Sequence, residues 1–139
     1  LLDNQIRFPN GLSLSIDQKT LYVDDSDSDN VYAFDVQQDG TVRNKRVYAK
    51  VRELVTDQFG TRSRADGMAI DSAGRLYLGT AVGVQVIGAG GTQVGTIRMP
   101  AIIRNVAFGG PARRTLYMTA ADALYRVELL AQGPAGRSK

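Results

Sequence analysis

The chain has 139 residues, 43% of them apolar, with 17 Lys plus Arg against 14 Asp plus Glu for a formal charge of +3; one domain of ordinary size is expected, with a charge too mild and too scattered for a nucleic-acid partner. It contains no His and no Cys, which excludes Ser-His-Asp triads, zinc fingers, thiolate sites and disulfides. No stretch approaches the ~20 apolar residues of a membrane span and the first residues do not resemble a signal peptide, so a soluble chain without a membrane partner is expected, either cytoplasmic or exported.

Leu1 to Phe8 has the pattern of an outer strand of a preceding sheet, as in a segment cut from a longer polypeptide. From Pro9-Asn10-Gly11-Leu12 onward the chain repeats itself. The motif recurs as Ala65-Asp66-Gly67-Met68 and, more loosely, as Arg104-Asn105-Val106-Ala107, each followed at near-constant spacing by Leu21-Tyr22-Val23, Leu76-Tyr77-Leu78 and Leu116-Tyr117-Met118. Turn residues separate the first and second strands of each unit: Asp17-Gln18-Lys19, Ser72-Ala73-Gly74 and Pro111 to Arg114. They imply antiparallel neighbours. Third strands are expected at Val31 to Asp35, Gly83 to Ile87 and Leu124 to Val127, and fourth strands at Thr41 to Ala49 and Thr92 to Ile97. The last unit has no fourth strand of its own.

Repeated four-stranded meanders indicate an all-β fold of β-propeller blades, whose first strands line a central channel. The blade units fall at about 9–50, 65–100 and 104–129, within a single partial propeller domain over 1–139, followed by a tail at 130–139. Asn10 and Asp66 are 56 residues apart, whereas Asp66 and Asn105 are 39 apart. The excess falls in a loop insertion at 50–64, with a short helical turn at Val51 to Val55 and a position beside the channel mouth. Three blades cannot close a ring, so the chain is expected to be incomplete, to assemble with another chain (a second copy or a complementary N-terminal half), or to leave blade edges exposed.

Asn10 and Asp66 share a register in adjacent repeats, so a channel wall would converge an amide oxygen and a carboxylate, a donor pair suited to Ca²⁺ or another divalent cation. The competing reading is that Asn-Gly and Asp-Gly are only turns. Asp24 to Asn30 is acidic but lacks the Gly and the terminal Glu of an EF-hand, and is expected to be a solvated hairpin loop. Gly88 to Gly91 is a hairpin turn rather than a phosphate cradle, since no helix follows. Tyr22, Tyr77 and Tyr117 are expected to pack between blades, and Arg113, Arg114, Arg137 and Lys139 are too sparse for nucleic-acid binding.

Phe8-Pro9-Asn10-Gly11-Leu12, Leu21-Tyr22-Val23 with Asp25, Asp66-Gly67-Met68-Ala69-Ile70-Asp71, Gly83-Val84-Gln85-Val86 and Asn105 to Gly110 with Leu116-Tyr117, in that order, resemble the senescence marker protein, gluconolactonase and luciferin-regenerating enzyme family. The resemblance implies the C-terminal half of a six-bladed propeller and a Ca²⁺-dependent lactone hydrolase acting on a small lactone or ester. It implies Asn10 and Asp66 as metal ligands, Asp66 as the catalytic residue that assists the attacking water, and Asn105 as a residue lining the substrate pocket or capping the backbone. The family's Glu ligand, and the Asn and Arg that hold substrate, have no counterpart here. A non-catalytic half-propeller that self-associates or pairs with another chain is the alternative.

Overall fold

The structure is a computed structural model and describes residues 1–136; Arg137 and Lys139 of the tail lie outside the described residues. The chain is all-β, in radial sheets of antiparallel strands. The first sheet orders β1 (Pro9–Leu14), β2 (Thr20–Asp25), β3 (Asn30–Val36) and β4 (Val42–Lys50) from the inside out. A small hairpin of β5 (Val55–Asp57) and β6 (Gly60–Arg62) follows. The second sheet runs β7 (Met68–Ile70), β8 (Leu76–Thr80), β9 (Gly83–Ile87) and β10 (Gln93–Arg98). β11 (Ile103–Gly109), β12 (Thr115–Ala120) and β13 (Leu124–Glu128) form the third, with a short 3-10 turn at Pro111–Arg113 between its first two strands.

Alternation along each strand sends successive side chains to opposite faces. Tyr22, Val31 and Ala33 of the first sheet meet Met68, Ile70, Leu76 and Leu78 of the second in one core. Ala69, Tyr77, Val84 and Val86 face the other way, onto Val106, Phe108, Leu116 and Met118. The middle sheet is therefore covered on both sides, and every residue of β7, β8 and β9 is buried.

The inner strands β1, β7 and β11 lie side by side. A methyl group on Gly11 would overlap the carbonyl oxygen of Asp66, and one on Gly67 would overlap the Asn105 side chain. Asn10-Gly11 lies inside β1, and Gly67 is absent from the positive-φ glycines. These glycines are thus needed for close approach between blades, not for turns.

Four expectations change. The 50–64 segment contains the β5–β6 hairpin, and Val51 to Leu54 forms no helical turn; the Glu53 backbone is instead held at both ends by the buried Gln85 amide, which accepts its N–H (3.2 Å) and donates to its carbonyl (2.8 Å). Residues 1–8 form no strand. They cross the outward face of the first sheet, where Asp3 pairs with Lys45 (2.9 Å), whose ammonium sits 4.9 Å from the centre of the Tyr32 ring. Tyr117 is 37% exposed, because it points to the face of the third sheet that no described sheet covers, while Tyr22 and Tyr77 are buried between blades. Finally, Asp24 and Asp25 are buried at the end of β2 and not solvated; only Ser26 to Asp29 remain as the connecting turn.

Candidate metal and substrate site

Strand pairing sets which residues of the three blades are equivalent. Ser13 opposes Tyr22, Ala69 opposes Tyr77 and Ala107 opposes Tyr117. Counting back from each along its inner strand aligns Asn10 with Asp66 and with Arg104. Asn105 aligns with Gly67 instead, one place along from the expected register, and β11 carries an irregularity between Ile103 and Asn105. Arg104 is therefore the third residue at this level of the inner strands, and motif matching missed it because it keyed on the carboxamide rather than on the Leu-Tyr pairing partner.

Asn10, Asp66 and Arg104 line two adjoining recesses at the inner end of the blades. One, of about 290 Å³, also takes in Phe8, Ser26, Asp27, Arg62 and Arg64. The other, of about 320 Å³, takes in Leu12, Met68 and Asn105. The sequence-derived trio Asn10, Asp66 and Asn105 thus borders the second recess together.

A short relay orients Asn10. Its Nδ2–H donates to Ser26 Oγ (3.2 Å), and the Ser26 hydroxyl donates to the carbonyl of Ala65 on the next blade. With the amino end of the amide engaged, Asn10 Oδ1 is the end left as acceptor. The backbone of Asp66 is fixed by its N–H to the carbonyl of Gly79 (2.9 Å), and Asp66 Oδ2 stands 3.8 Å from Arg104 Nη1. Asn105 Oδ1 accepts the N–H of Val106 (3.0 Å), a backbone-capping contact.

Behind β1 lies Asp24, fully buried. Its Oδ1 accepts the Gly11 N–H (3.2 Å), while Oδ2 has no hydrogen-bond partner. Burial, reinforced by the nearby Asp66 and Asp25 charges and opposed by the Gly11 N–H, pushes its pKa up to about 8. In the sequence it belongs to the acidic run Asp24 to Asn30, expected to be solvated.

Arg62, which ends the β5–β6 hairpin, and Arg64 just after it border the first recess. Arg62 pairs with Asp27 (2.9 Å) and Asp57 (3.0 Å), and Arg64 also pairs with Asp57. The Arg64 and Arg62 guanidinium groups and the Phe59 N–H hold the Asp57 carboxyl down at about 2. Arg64 has φ of 49°, a left-handed conformation that costs a non-Gly residue about 1–2 kcal/mol. Two backbone bonds to the β2–β3 turn retain it, Ser63 N–H to Ser28 O and Arg64 N–H to Ser26 O, both 3.1 Å. Among the described residues no three His, Cys, Asp or Glu gather as a metal cluster, and no helix is long and apolar enough to cross a membrane.

Residues 1–122 match the family described as the SMP-30/Gluconolactonase/LRE-like region. The chain is 33% identical to regucalcin of Gallus gallus over 96% of its own length and 44% of that protein. It is 28% identical to lactonohydrolase oryH of Aspergillus oryzae, with 97% and 32% of the two chains covered. Among solved structures, a gluconolactonase from Xanthomonas campestris is 30% identical, with a TM-score of 0.72 over 87% of this chain and 37% of the other. A luciferin-regenerating enzyme superposes with a TM-score of 0.79 at 26% identity, covering 98% of this chain and 50% of that one. The chain thus spans between a third and a half of the length of these relatives. Its strand order, its paired inner-strand motifs and this match together place it in the SMP-30/gluconolactonase/LRE-like family of β-propeller proteins.

Proposed function

We propose that this chain supplies part of the active site of a divalent-cation-dependent lactone hydrolase, with Ca²⁺ as the first candidate cation and a small lactone or ester as substrate. One observation carries the reading: Asn10, oriented by Ser26 with its amide oxygen left as acceptor, and Asp66 border the same recesses from neighbouring blades. Hard oxygen donors of this kind suit Ca²⁺, which takes six to eight oxygens. Asn10 and Asp66 are a partial shell, so further ligands would come from water and from polypeptide outside this chain. When bound, the cation would polarise the lactone carbonyl as a Lewis acid. Asp66 would accept a proton from the water that adds to that carbonyl, and Asn105 would border the substrate.

The test is hydrolysis of a sugar δ-lactone by the chain, alone and joined to the remainder of a propeller, with and without chelator, alongside calorimetric Ca²⁺ titration. Activity and Ca²⁺ binding that fall together in Asp66→Asn and Asn10→Ala support the reading; activity indifferent to chelator overturns the metal role.

A second reading is favoured by the uncovered face of the third sheet, where Ala107, Tyr117 and Leu124 border an apolar recess. There the chain is a non-catalytic module that pairs with a second copy or with a complementary half. Sedimentation distinguishes the two: a dimer without lactone turnover favours the module, whereas a cooperatively melting monomer contradicts it.

A further inference from the structure

Three guanidinium groups, those of Arg62, Arg64 and Arg104, line the recess that holds Asn10 and Asp66, against two carboxylates, Asp27 and Asp66. They are not equally engaged. Arg62 is committed to Asp27 and Asp57 through both terminal nitrogens. Arg64 is held from one nitrogen by Asp57; its Nε, like that of Arg62, is buried with no hydrogen-bond partner among the described residues. Arg104 is half exposed and, among the described residues, has one loose ion pair, the 3.8 Å approach to Asp66. A cation on Asp66 would compete for that carboxylate and release Arg104. The recess thus carries guanidinium groups whose donors are not all taken up by its ion pairs.

The strained Arg64 backbone strengthens the point. The conformation is kept by main-chain bonds to the β2–β3 turn and brings the side chain back to Asp57 at the rim. Locally strained backbone persists where surrounding structure over-determines it, and such positions concentrate at ligand sites. Guanidinium forks recognise planar or tetrahedral oxyanions through paired N–H donors, and the bonds are charge-assisted.

We infer that Arg64 and Arg104 form an oxyanion subsite, so that the preferred ligand of this recess is a sugar-like molecule bearing a carboxylate or phosphoryl group remote from its reacting carbon. As a statement of substrate class it rests on the lactonase reading; as a statement of binding it stands without hydrolysis. Arg62 serves as a positioning residue, holding Asp57 and Asp27 so that the hairpin keeps Arg64 at the rim.

Three matched probes differing only at one carbon test this: glucuronate, glucose 6-phosphate and glucose, titrated into the chain by calorimetry or NMR at low and at raised NaCl. At least one anion should bind ten-fold or more tighter than glucose, with a preference that shrinks as salt rises; the tighter anion identifies the group. In Arg64→Gln/Arg104→Gln that preference should collapse to within about two-fold. Arg104→Gln alone, at a half-exposed position, should keep the wild-type melting temperature and lose several-fold of the preference, so a misfolded double variant does not shield the inference. Equal binding of glucose and both anions, or an anion preference that survives Arg104→Gln intact, overturns it. Anion preference without lactone turnover would leave this subsite standing and sink the hydrolase reading, whereas turnover of neutral lactones without anion preference would do the reverse.

Discussion

Replacing Asp24 with Asn should leave stability nearly unchanged at pH 4 and raise it at pH 8. Asp24 is fully buried, with Oδ1 on the Gly11 N–H and Oδ2 unpartnered in the crowded space between Gly11 and the Asp66 carbonyl. Burial first, and the Asp66 and Asp25 charges next, raise its pKa from 3.8 to about 8. Between those values the unfolded chain has released this proton while the folded chain retains it, so this group makes stability fall as pH rises through the window. Each pH unit within it is worth about 1.4 kcal/mol, which sets a ceiling of roughly 5 kcal/mol at pH 8 and above. Relaxation and water penetration around buried charge leave only part of such a ceiling, so on the order of 2 kcal/mol is expected, or roughly 4–8 °C in Tm at about 2–4 °C per kcal/mol. The Asn side chain can keep the Gly11 bond through Oδ1 and present N–H toward Asp66, with no charge to bury. Paired urea melts of wild type and Asp24→Asn from pH 4 to 8.5, in chelator, read the difference directly. A gain that does not vary with pH, or a variant less stable at pH 8, refutes a buried carboxylate as its source.

Gly11→Ala should destabilise by about 3 kcal/mol, because the new methyl meets the Asp66 carbonyl, and Gly67→Ala should cost a similar amount, because its methyl meets the Asn105 side chain and, at 2.9 Å, the Asn105 Cα; urea melts of both variants should show losses of that order. Leu116→Ala, at a wholly buried position between the second and third sheets, should cost about 2–5 kcal/mol in the same assay. Asp71, buried, accepts the Ala73 and Arg75 N–H groups (both 2.9 Å), Arg75 Nε (2.6 Å) and the Tyr77 hydroxyl (3.2 Å). Asp71→Ala should therefore cost about 2–4 kcal/mol, chiefly by leaving the Ala73, Arg75 and Tyr77 donors without their acceptor, while the 38% exposed Arg75 side chain keeps its charge in water. The depressed Asp57 pKa stabilises the β5–β6 hairpin above the ordinary carboxyl range, and that contribution is lost as pH falls from about 4 through 2. Hydrogen exchange or amide NMR at Phe59 should show the hairpin firm at pH 5 and loosened near pH 2.

Much of the architecture was legible because the Leu-Tyr-apolar second strands recur with alternation that a buried sheet requires, and the third strand expected at Gly83 to Ile87 has those bounds in the structure. The β5–β6 hairpin was not, since three-residue strands of mostly polar residues carry no usable period, and Arg62–Asp27 and the Ser63 and Arg64 backbone bonds position it from another sheet. Asp24 misled for a related reason: an acidic run suggests solvent, yet its first two members finish a strand packed under Gly11. At the site, Asn10 and Asp66 follow from the repeat, while Arg104 depends on a register that the irregularity in β11 hides from letter matching. Arg64 emerges only from tertiary structure, because nothing in the sequence says that its backbone turns left-handed.

The blades are tapered like the stones of an arch. At the hub, Gly11 and Gly67 let neighbouring backbones nearly touch; at the rim, Tyr48 fills the gap, its hydroxyl donating to the carbonyls of Gly88 (3.0 Å) and Ala89 (2.8 Å) of the next sheet. Hydrogen at one end and an aromatic ring at the other let the first two sheets lie close at their inner ends and stand apart at their outer ends. Enlarging the hub residue or trimming the rim ring would change how neighbouring sheets converge, so small residues at the hub matter as much to that packing as the large ring at the rim.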